Sequence, residues 1–526
     1  MKKCIALITL LTLLASLLLP FTAMAENKPR LTVAGEADQA MPEGYGTVEE
    51  NRWVDWIREN GPADIKVIAI DSDNDLQQYS MQMASGTAPD IIYSGDPVTM
   101  STLINQRLLM PLEDVVEKYS VEYKQRLEEN PFLKDLGSAN GHLYLLGAPS
   151  AAIMPEQVRF IRVDWLEKLG LEMPTTVDEY LEVCRAFTNN DPDGNGLNDT
   201  FGTNLSGKGS VMIDWMFGDA RWFVRDGHMV MDLTPSMQAS IFKKTLFDEG
   251  LVDRDYLIDA KGAKAQQDWV NGKLGIFQTN RSVTPTAFNI YKTLMANCPE
   301  AKVAVLPNLE GPNGTFSMDT YNPIDFEVAV NAGCKDPKLA MEFIDFMIKD
   351  STQMTLTQGI EGEHYTLNEN GAPVPINPET IDDELAGAIV FLETIDVGDK
   401  VINYLNPEIP LEKSYIDILN DVDHLVRKDQ PIPLFTFACL YPVMPNDINM
   451  IYANTMDRID DTWVNFIVQG KMEDAEKVLE TVQQMWKSAN GQKVEDWYEN
   501  WYQENKDTYM FTDDIYDAFG APYDEK

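Results

Sequence analysis

Short apolar runs alternate with helical stripes over the first part of the chain. Leu31-Thr32-Val33-Ala34-Gly35 reads as a first strand, Ile65 to Ile70 as a second of continuous apolar character, and Asp90-Ile91-Ile92-Tyr93 as a third. Helical patterns lie between them, as a parallel sheet requires. This alternation through Gly147 predicts an α/β lobe with its loops gathered at one sheet edge. Arg159 to Val163 opens a second lobe that runs on to Phe277. Glu327 to Asn331 is a later strand, and Asp336-Pro337 then starts a helix with Ala340, Phe343, Ile344 and Met347 on one face. Beyond about Pro375 the pattern is helical, with amphipathic stretches over Ile416–Leu425 and Met472–Trp486.

Between Ile161 and Gly202 two helical patterns run into a loop of oxygen ligands and glycines. Thr176 is an N-cap with Glu179 three residues on, and Val177, Leu181, Cys184 and Phe187 follow at helical spacing. The helix leads into Asp191, Asp193 and Asn195 at alternate positions, then Gly196, the Leu197 carbonyl and Asp199. That order matches the first nine positions of an EF-hand loop, which surrounds a hard cation with oxygens. The twelfth position carries Gly202 where a Glu is expected, and Thr200 supplies at most a hydroxyl. These residues therefore predict a structural Ca2+ of moderate affinity; the alternative is a solvated Asn/Asp/Gly turn.

The amino terminus changes the compartment. Lys2 and Lys3 precede an apolar run from Cys4 to Ala23, broken at Pro20 and followed by Ala23-Met24-Ala25, which predicts a secretory signal at residues 1–25. An uncleaved anchor is the alternative, since the run approaches the roughly 20 residues that span a bilayer. Cys4 lies before the apolar core, so there is no lipobox, and release into a periplasm or extracellular space is expected. Of 526 residues, 84 are acidic and 42 basic, a net charge of −42 that becomes −44 once the two leader lysines are gone. Such a field disfavours nucleic acid and anionic lipid as partners. Cys184, Cys298, Cys334 and Cys439 show no zinc spacing, and either disulfides or buried thiols suit them.

Catalytic constellations are hard to find. His142, His228, His364 and His424 stand in unrelated contexts, and no nucleophile elbow, P-loop or zinc-protease motif occurs. Carboxylate pairs are too abundant among 84 acids to be informative. A secreted glycoside hydrolase, which needs two carboxylates and aromatic platforms, is the main alternative to a binding protein.

Several ordered pieces carry a family likeness: Met83-Ala84-Ser85-Gly86-Thr87-Ala88-Pro89-Asp90-Ile91-Ile92-Tyr93, Gly141-His142-Leu143-Tyr144, the Ile161–Gly202 segment, Gly272-Lys273-Leu274-Gly275-Ile276-Phe277, and Gly359-Ile360-Glu361-Gly362-Glu363-His364-Tyr365. In this order the chain resembles the family 1 extracellular solute-binding proteins, the sugar-capturing receptors of bacterial ABC importers. The resemblance implies an α/β two-lobe fold with an interlobe cleft, in which the late strand and helix return to the first lobe. It puts residues 26–150 and 322–375 in lobe 1 and 151–321 and 376–526 in lobe 2, with hinges near Gly147–Arg159 and Ser317–Asp325. It implies a monomer that binds an oligosaccharide, delivers it to membrane permease subunits and performs no catalysis.

Ligand contacts are then expected in loops after strands. These are Glu36 and Asp38, Asp71 and Asp73, and Tyr93, Ser94 and Asp96, with Asn280 and Arg281 across the cleft. Tyr321 and Asn322 sit near a hinge, and Glu361 and His364 in a closing segment. Ten tryptophans matter because an indole face packs on the C–H face of a sugar. Trp215, Trp222 and Trp269 are the candidates, with Asp214 and Arg221 beside the first two; Trp165 and Trp486 are expected in the core.

Overall fold

The computed structural model describes residues 28–37, 41–149, 157–280, 285–317, 324–368, 371, 373–377, 380–388, 405–422, 425, 439 and 441–507. The chain opens with β1 (Arg30–Glu36), α1 (Arg52–Asn60), β2 (Asp64–Ile70), α2 (Asp75–Ser85), β3 (Ile91–Tyr93), α3 (Pro97–Asn105), α4 (Glu122–Glu129) and β4 (Leu146–Pro149). Two of these helices, α1 and α3, begin where an N-cap side chain takes orphan backbone N–H groups. Asn51 accepts from Trp53 and Val54 at the start of α1, and Asp96 accepts from Val98 and Thr99 at the start of α3. β1 lies between β2 and β3, parallel to both, with Val33 opposite Val67 and Ile91.

The second group of elements comprises β5 (Gln157–Arg162), α5 (Val177–Asn189), β6 (Phe201–Thr203), α6 (Gly209–Met216), α7 (Thr234–Asp248), β7 (Leu274–Asn280) and β8 (Val303–Val305). The capping box of α5 forms as predicted, with Thr176 bonded to the Glu179 N–H and Glu179 reaching back. These strands make a separate sheet in the order β8-β5-β7-β6, over a core of Ile161, Trp165, Phe187 and Ile276.

β9 (Ile324–Val330) and α8 (Pro337–Met347) then return to the first sheet, whose order is β2-β1-β3-β9-β4. Asp336 caps α8, and Ala340, Phe343, Ile344 and Met347 are buried as their spacing predicts. Burying a Phe, Ile or Met side chain contributes about 1.5–3 kcal/mol, so this face docks α8 firmly on the first core. Residues 380–388 stay on that lobe too. The Glu384 carbonyl accepts from the Trp53 indole at 2.8 Å, and Leu385 and Ala388 pack on the first core. These residues, expected from the sequence in the second lobe, thus pack with the first.

Finally α9 (Pro410–Val422) covers the face of the second sheet through Tyr415, Ile418 and Leu419. α10 (Asn446–Gln469), α11 (Ala475–Ser488) and α12 (Gln492–Asn505) bury Trp463, Trp486 and Tyr498 around Trp222. The two expected hinges lie largely in 150–156 and 318–323, outside the described residues. Among the described residues no helix is long and apolar enough to cross a membrane, and the four cysteines 184, 298, 334 and 439 form no disulfide.

Candidate functional site

Parallel strands that end together leave a crevice where their helices diverge. At the carboxyl ends of β1, β2 and β3 lies a cavity of about 410 Å³, lined among others by Glu36, Ser72, Asp75, Tyr79, Tyr93, Ser94 and Asp96. Its floor is fixed by hydrogen bonds. Buried Asp75 accepts from the Ser94 hydroxyl and from Thr99 Oγ1 at 2.6 Å, while Ser94 Oγ accepts the Asp96 N–H at 3.0 Å. The Tyr79 hydroxyl donates to the Tyr93 carbonyl at 2.6 Å, and burial raises that phenol far above its usual range. Glu36 is exposed at the end of β1, and Tyr93 is half-buried. Of the sequence-selected residues, Glu36, Tyr93, Ser94 and Asp96 thus meet at one cavity. Asp71 does not line it; it is exposed and caps the turn at 72–74, accepting from the Asp73 N–H and Asn74.

The second lobe presents a charged group around α6. Trp215 is half-buried there, and its neighbour Asp214 pairs with buried Lys243 at 2.6 Å. Asp219 accepts from Ser236 Oγ at 2.7 Å. Burial first, and then the adjacent Asp214 carboxylate, push Asp219 up to about 7. Arg221 pairs with Asp460 of α10 at 2.5 Å, and the Asp460 and Asp219 carboxylates keep it charged against burial.

Two of the three tryptophan candidates are corrected. Trp269 is 2 % exposed and stacks between Phe160 and Phe277, with ring centroids at 6.5 and 5.4 Å. Trp222 is 5 % exposed against Tyr498 at 4.4 Å. Neither ring leaves a face for a ligand. His364 is corrected for a similar reason: it is buried against Trp53, and its Nδ1 accepts the Ile360 N–H at 3.1 Å. It holds the 359–365 turn in place, helped by the Arg52–Glu363 pair at 2.8 Å, while Glu361 stays exposed. Asn280 ends β7; Asp38, Arg281, Tyr321 and Asn322 lie outside the described residues.

The loop after α5 brings its acids together. Asp191, with φ at 49°, accepts from the Gly194 and Gly196 N–H groups at 3.0 and 3.1 Å. Asn195 donates to Asp193 at 2.8 Å and to Asp199 at 3.1 Å, and Lys273 holds Asp199 at 2.8 Å. Burial and then the Asp191 carboxylate hold Asp193 above the usual carboxylate range, whereas Lys273 lowers Asp199. Thr200 is no ligand: it is buried and donates to the Phe187 carbonyl at 2.8 Å. Gly202 cannot be the missing acid either, because a Cβ there would stand 2.6 Å from the Cys184 Cα. The donors are those of a hard-cation site in kind, Asp191, Asp193, Asn195 and Asp199 with the exposed Leu197 backbone. As placed they bond one another and loop N–H groups, and among the described residues no three His, Cys, Asp or Glu converge as a metal cluster.

The profile of the bacterial extracellular solute-binding proteins matches residues 55–354. The lipoprotein LipO of Bacillus subtilis is 29% identical over 322 residues, 58% of this chain and 62% of LipO. The fructooligosaccharide ABC transporter substrate-binding protein FusA of Streptococcus pneumoniae is 27% identical over 300 residues, 51% of this chain and 52% of FusA. The chain thus spans little more than half the length of these curated relatives. The solved FusA EF-hand mutant with fructo-nystose has a TM-score of 0.61 at 20% identity, covering 90% of this chain and all of that one. An HMO-binding, ABC-transporter-associated solute-binding protein of Bifidobacterium longum infantis has a TM-score of 0.67 at 18% identity, covering 92% of this chain and 100% of that one. Those structures share the two-lobe α/β fold, and the profile spans more than half of this sequence: the chain belongs to the bacterial extracellular solute-binding proteins.

Proposed function

We propose that this protein captures a neutral oligosaccharide between its lobes and passes it unchanged to the permease subunits of an ABC importer. The observation that carries the reading is the cavity at the ends of β1, β2 and β3, with Trp215 and its charged neighbours on the other lobe. Neutrality follows from the local charge. Glu36, Asp75, Asp96, Asp214 and Asp219 supply carboxylates, while Lys243 and Arg221 are already paired with Asp214 and Asp460. A uronate would meet net negative walls on a chain of charge −42. Calorimetric titration against nystose, Man5GlcNAc, oligogalacturonate and oligoalginate tests this. Binding of a neutral glycan without turnover is expected. Tighter binding of the uronates overturns the charge argument, and release of shorter products overturns the receptor in favour of a glycoside hydrolase. On this reading the protein is exported and acts as a monomer.

A second reading concerns the loop after α5. Asp191, Asp193, Asn195, Asp199 and the Leu197 carbonyl would hold one calcium, supported by the crowding of Asp193 against Asp191 and by the EF-hand of the FusA relative. The ion fixes the loop and takes no part in sugar binding. An ion at about a hundred times its Kd stabilises the folded form by about 2.7 kcal/mol, so calcium should raise the melting temperature relative to chelator. The Asp191→Ala/Asp193→Ala variant should lose that difference and keep glycan affinity. Parent melts that coincide in calcium and chelator would sink the assignment.

A further inference from the structure

Cys439 and the segment Tyr441–Met444 touch cores of different lobes. Cys439 packs against the first-lobe cluster that includes Tyr93 and Tyr144, whereas Met444 packs against the second-lobe cluster around Trp222 and Trp486. Five residue steps separate the two anchors, which an extended chain covers in at most about 18 Å. The segment is stiff as well as short. Tyr441 and Met444 each precede a proline, which disfavours helical backbone, and Pro445 is extended at φ −53° and ψ 144°. Its carbonyl then accepts from Ile448 and Asn449 at 2.9 and 2.8 Å as α10 begins.

Tyr441 is two residues from Cys439, so its backbone lies within about 7 Å of a residue packed on the same cluster as Tyr93 of the cavity. The ring is half-buried. Burial raises its phenol, and Tyr452 of α10 and Asp96 of the cavity rim add to the effect. Tyr452 in turn sits 6.5 Å from the Trp222 ring. A half-exposed aromatic ring between a cavity rim and the opposite lobe has what a sugar needs. One face packs on C–H groups, and one hydroxyl serves the sugar hydroxyls.

We propose that Tyr441 is a ligand-contacting residue of the interlobe site, its ring held by the Tyr441–Met444 segment against a saccharide unit that also touches the Asp96 rim. The assignment rests on the oligosaccharide reading. Tyr441→Ala should weaken binding of the neutral glycan by about tenfold or more, the ordinary consequence of truncating an aromatic anchor. Tyr441→Phe keeps the face and should stay within about threefold of wild type. The test is titration of wild type, Y441F and Y441A with nystose and with Man5GlcNAc, together with melting curves of each protein without glycan. The expected result is lost affinity in Y441A alone, at an unchanged melting temperature. Wild type that binds neither glycan overturns the oligosaccharide reading and this assignment together. Wild-type binding that Y441A leaves within twofold overturns this assignment alone. Equal loss in both variants with a fall in melting temperature also overturns it, in favour of a residue that only packs.

Discussion

Asp345→Ala should destabilise the protein by about 3–5 kcal/mol, the range for stripping a buried charge network of one partner. Asp345 is 8 % exposed on α8 and accepts from Ser120 Oγ at 2.7 Å and from the backbone N–H groups of Val121, Glu122 and Tyr123 at 2.6, 3.2 and 3.3 Å. It thereby caps α4 from a helix more than two hundred residues away in sequence. Arg126 deepens the loss: burial already lowers its guanidinium to about 10, and Asp345 is among the carboxylates that oppose the shift. The consequence reaches the site, because the Tyr123 hydroxyl takes the Gly147 N–H at 2.9 Å and donates back to its carbonyl at 3.2 Å. Gly147 belongs to β4, the strand from which the chain leaves for the second lobe. Urea unfolding of parent, Asp345→Ala and Asp345→Asn checks this, with Asn intermediate since it keeps one acceptor. A loss below about 1 kcal/mol in the Ala variant would mean that water replaces the cap.

What the sequence disclosed was what short-range physics decides. The strands Leu31–Gly35 and Ile65–Ile70 lie within the observed β1 and β2, because short apolar-rich runs bounded by turn residues mark strands locally. The Thr176/Glu179 cap and the Asp336-Pro337 start are equally local. Glu36, Tyr93, Ser94 and Asp96 were legible because a residue just after a parallel strand falls at the carboxyl edge.

Tryptophan, in contrast, has one composition and two fates. Nothing near Trp269 in sequence tells that Phe160, over a hundred residues earlier, will cover its face. Trp222 is closed off by Tyr498, and His364 by Trp53, through contacts across still longer separations. Thr200 stood one position from a ligand in the loop, yet the backbone turns it to the Phe187 carbonyl as the chain enters β6. The return of 380–388 to the first lobe hangs on hydrogen bonds to Trp53 and Asn51, which no periodicity encodes. Tyr441 left a usable sign, an aromatic residue between cysteine and paired prolines directly before a long helix.

Asp219→Asn should make the protein more stable at pH 8, by a gain that shrinks as the pH falls and vanishes below about pH 4. Burial and the Asp214 carboxylate raise Asp219 from 3.8 to about 7, so the folded state holds a proton that the unfolded chain releases. Wherever the folded state binds more protons, stability falls as pH rises. The fall begins near the unfolded value of 3.8 and is complete above about 7, after which the folded protein carries a buried charge beside a like charge. Asparagine removes that penalty, keeps an acceptor for Ser236 Oγ, and relieves Asp214 while its pair with Lys243 remains. Because Asp219 keeps some access to solvent, the gain at pH 8 should be on the order of 1–2 kcal/mol, less than the full shift would give. Denaturant midpoints of parent and variant from pH 5 to 8.5 check the sign, and the difference between the two curves cancels every other titrating group. Curves that run parallel would show that Asp219 is ionised throughout. A carboxylate kept at such a cost beside Trp215 and Arg221 needs a reason, and ligand hydroxyls donating to it would supply one. Glycan binding should therefore stabilise the charged form, so that affinity in the parent rises with pH through about 7 while Asp219→Asn binds more weakly and without that rise.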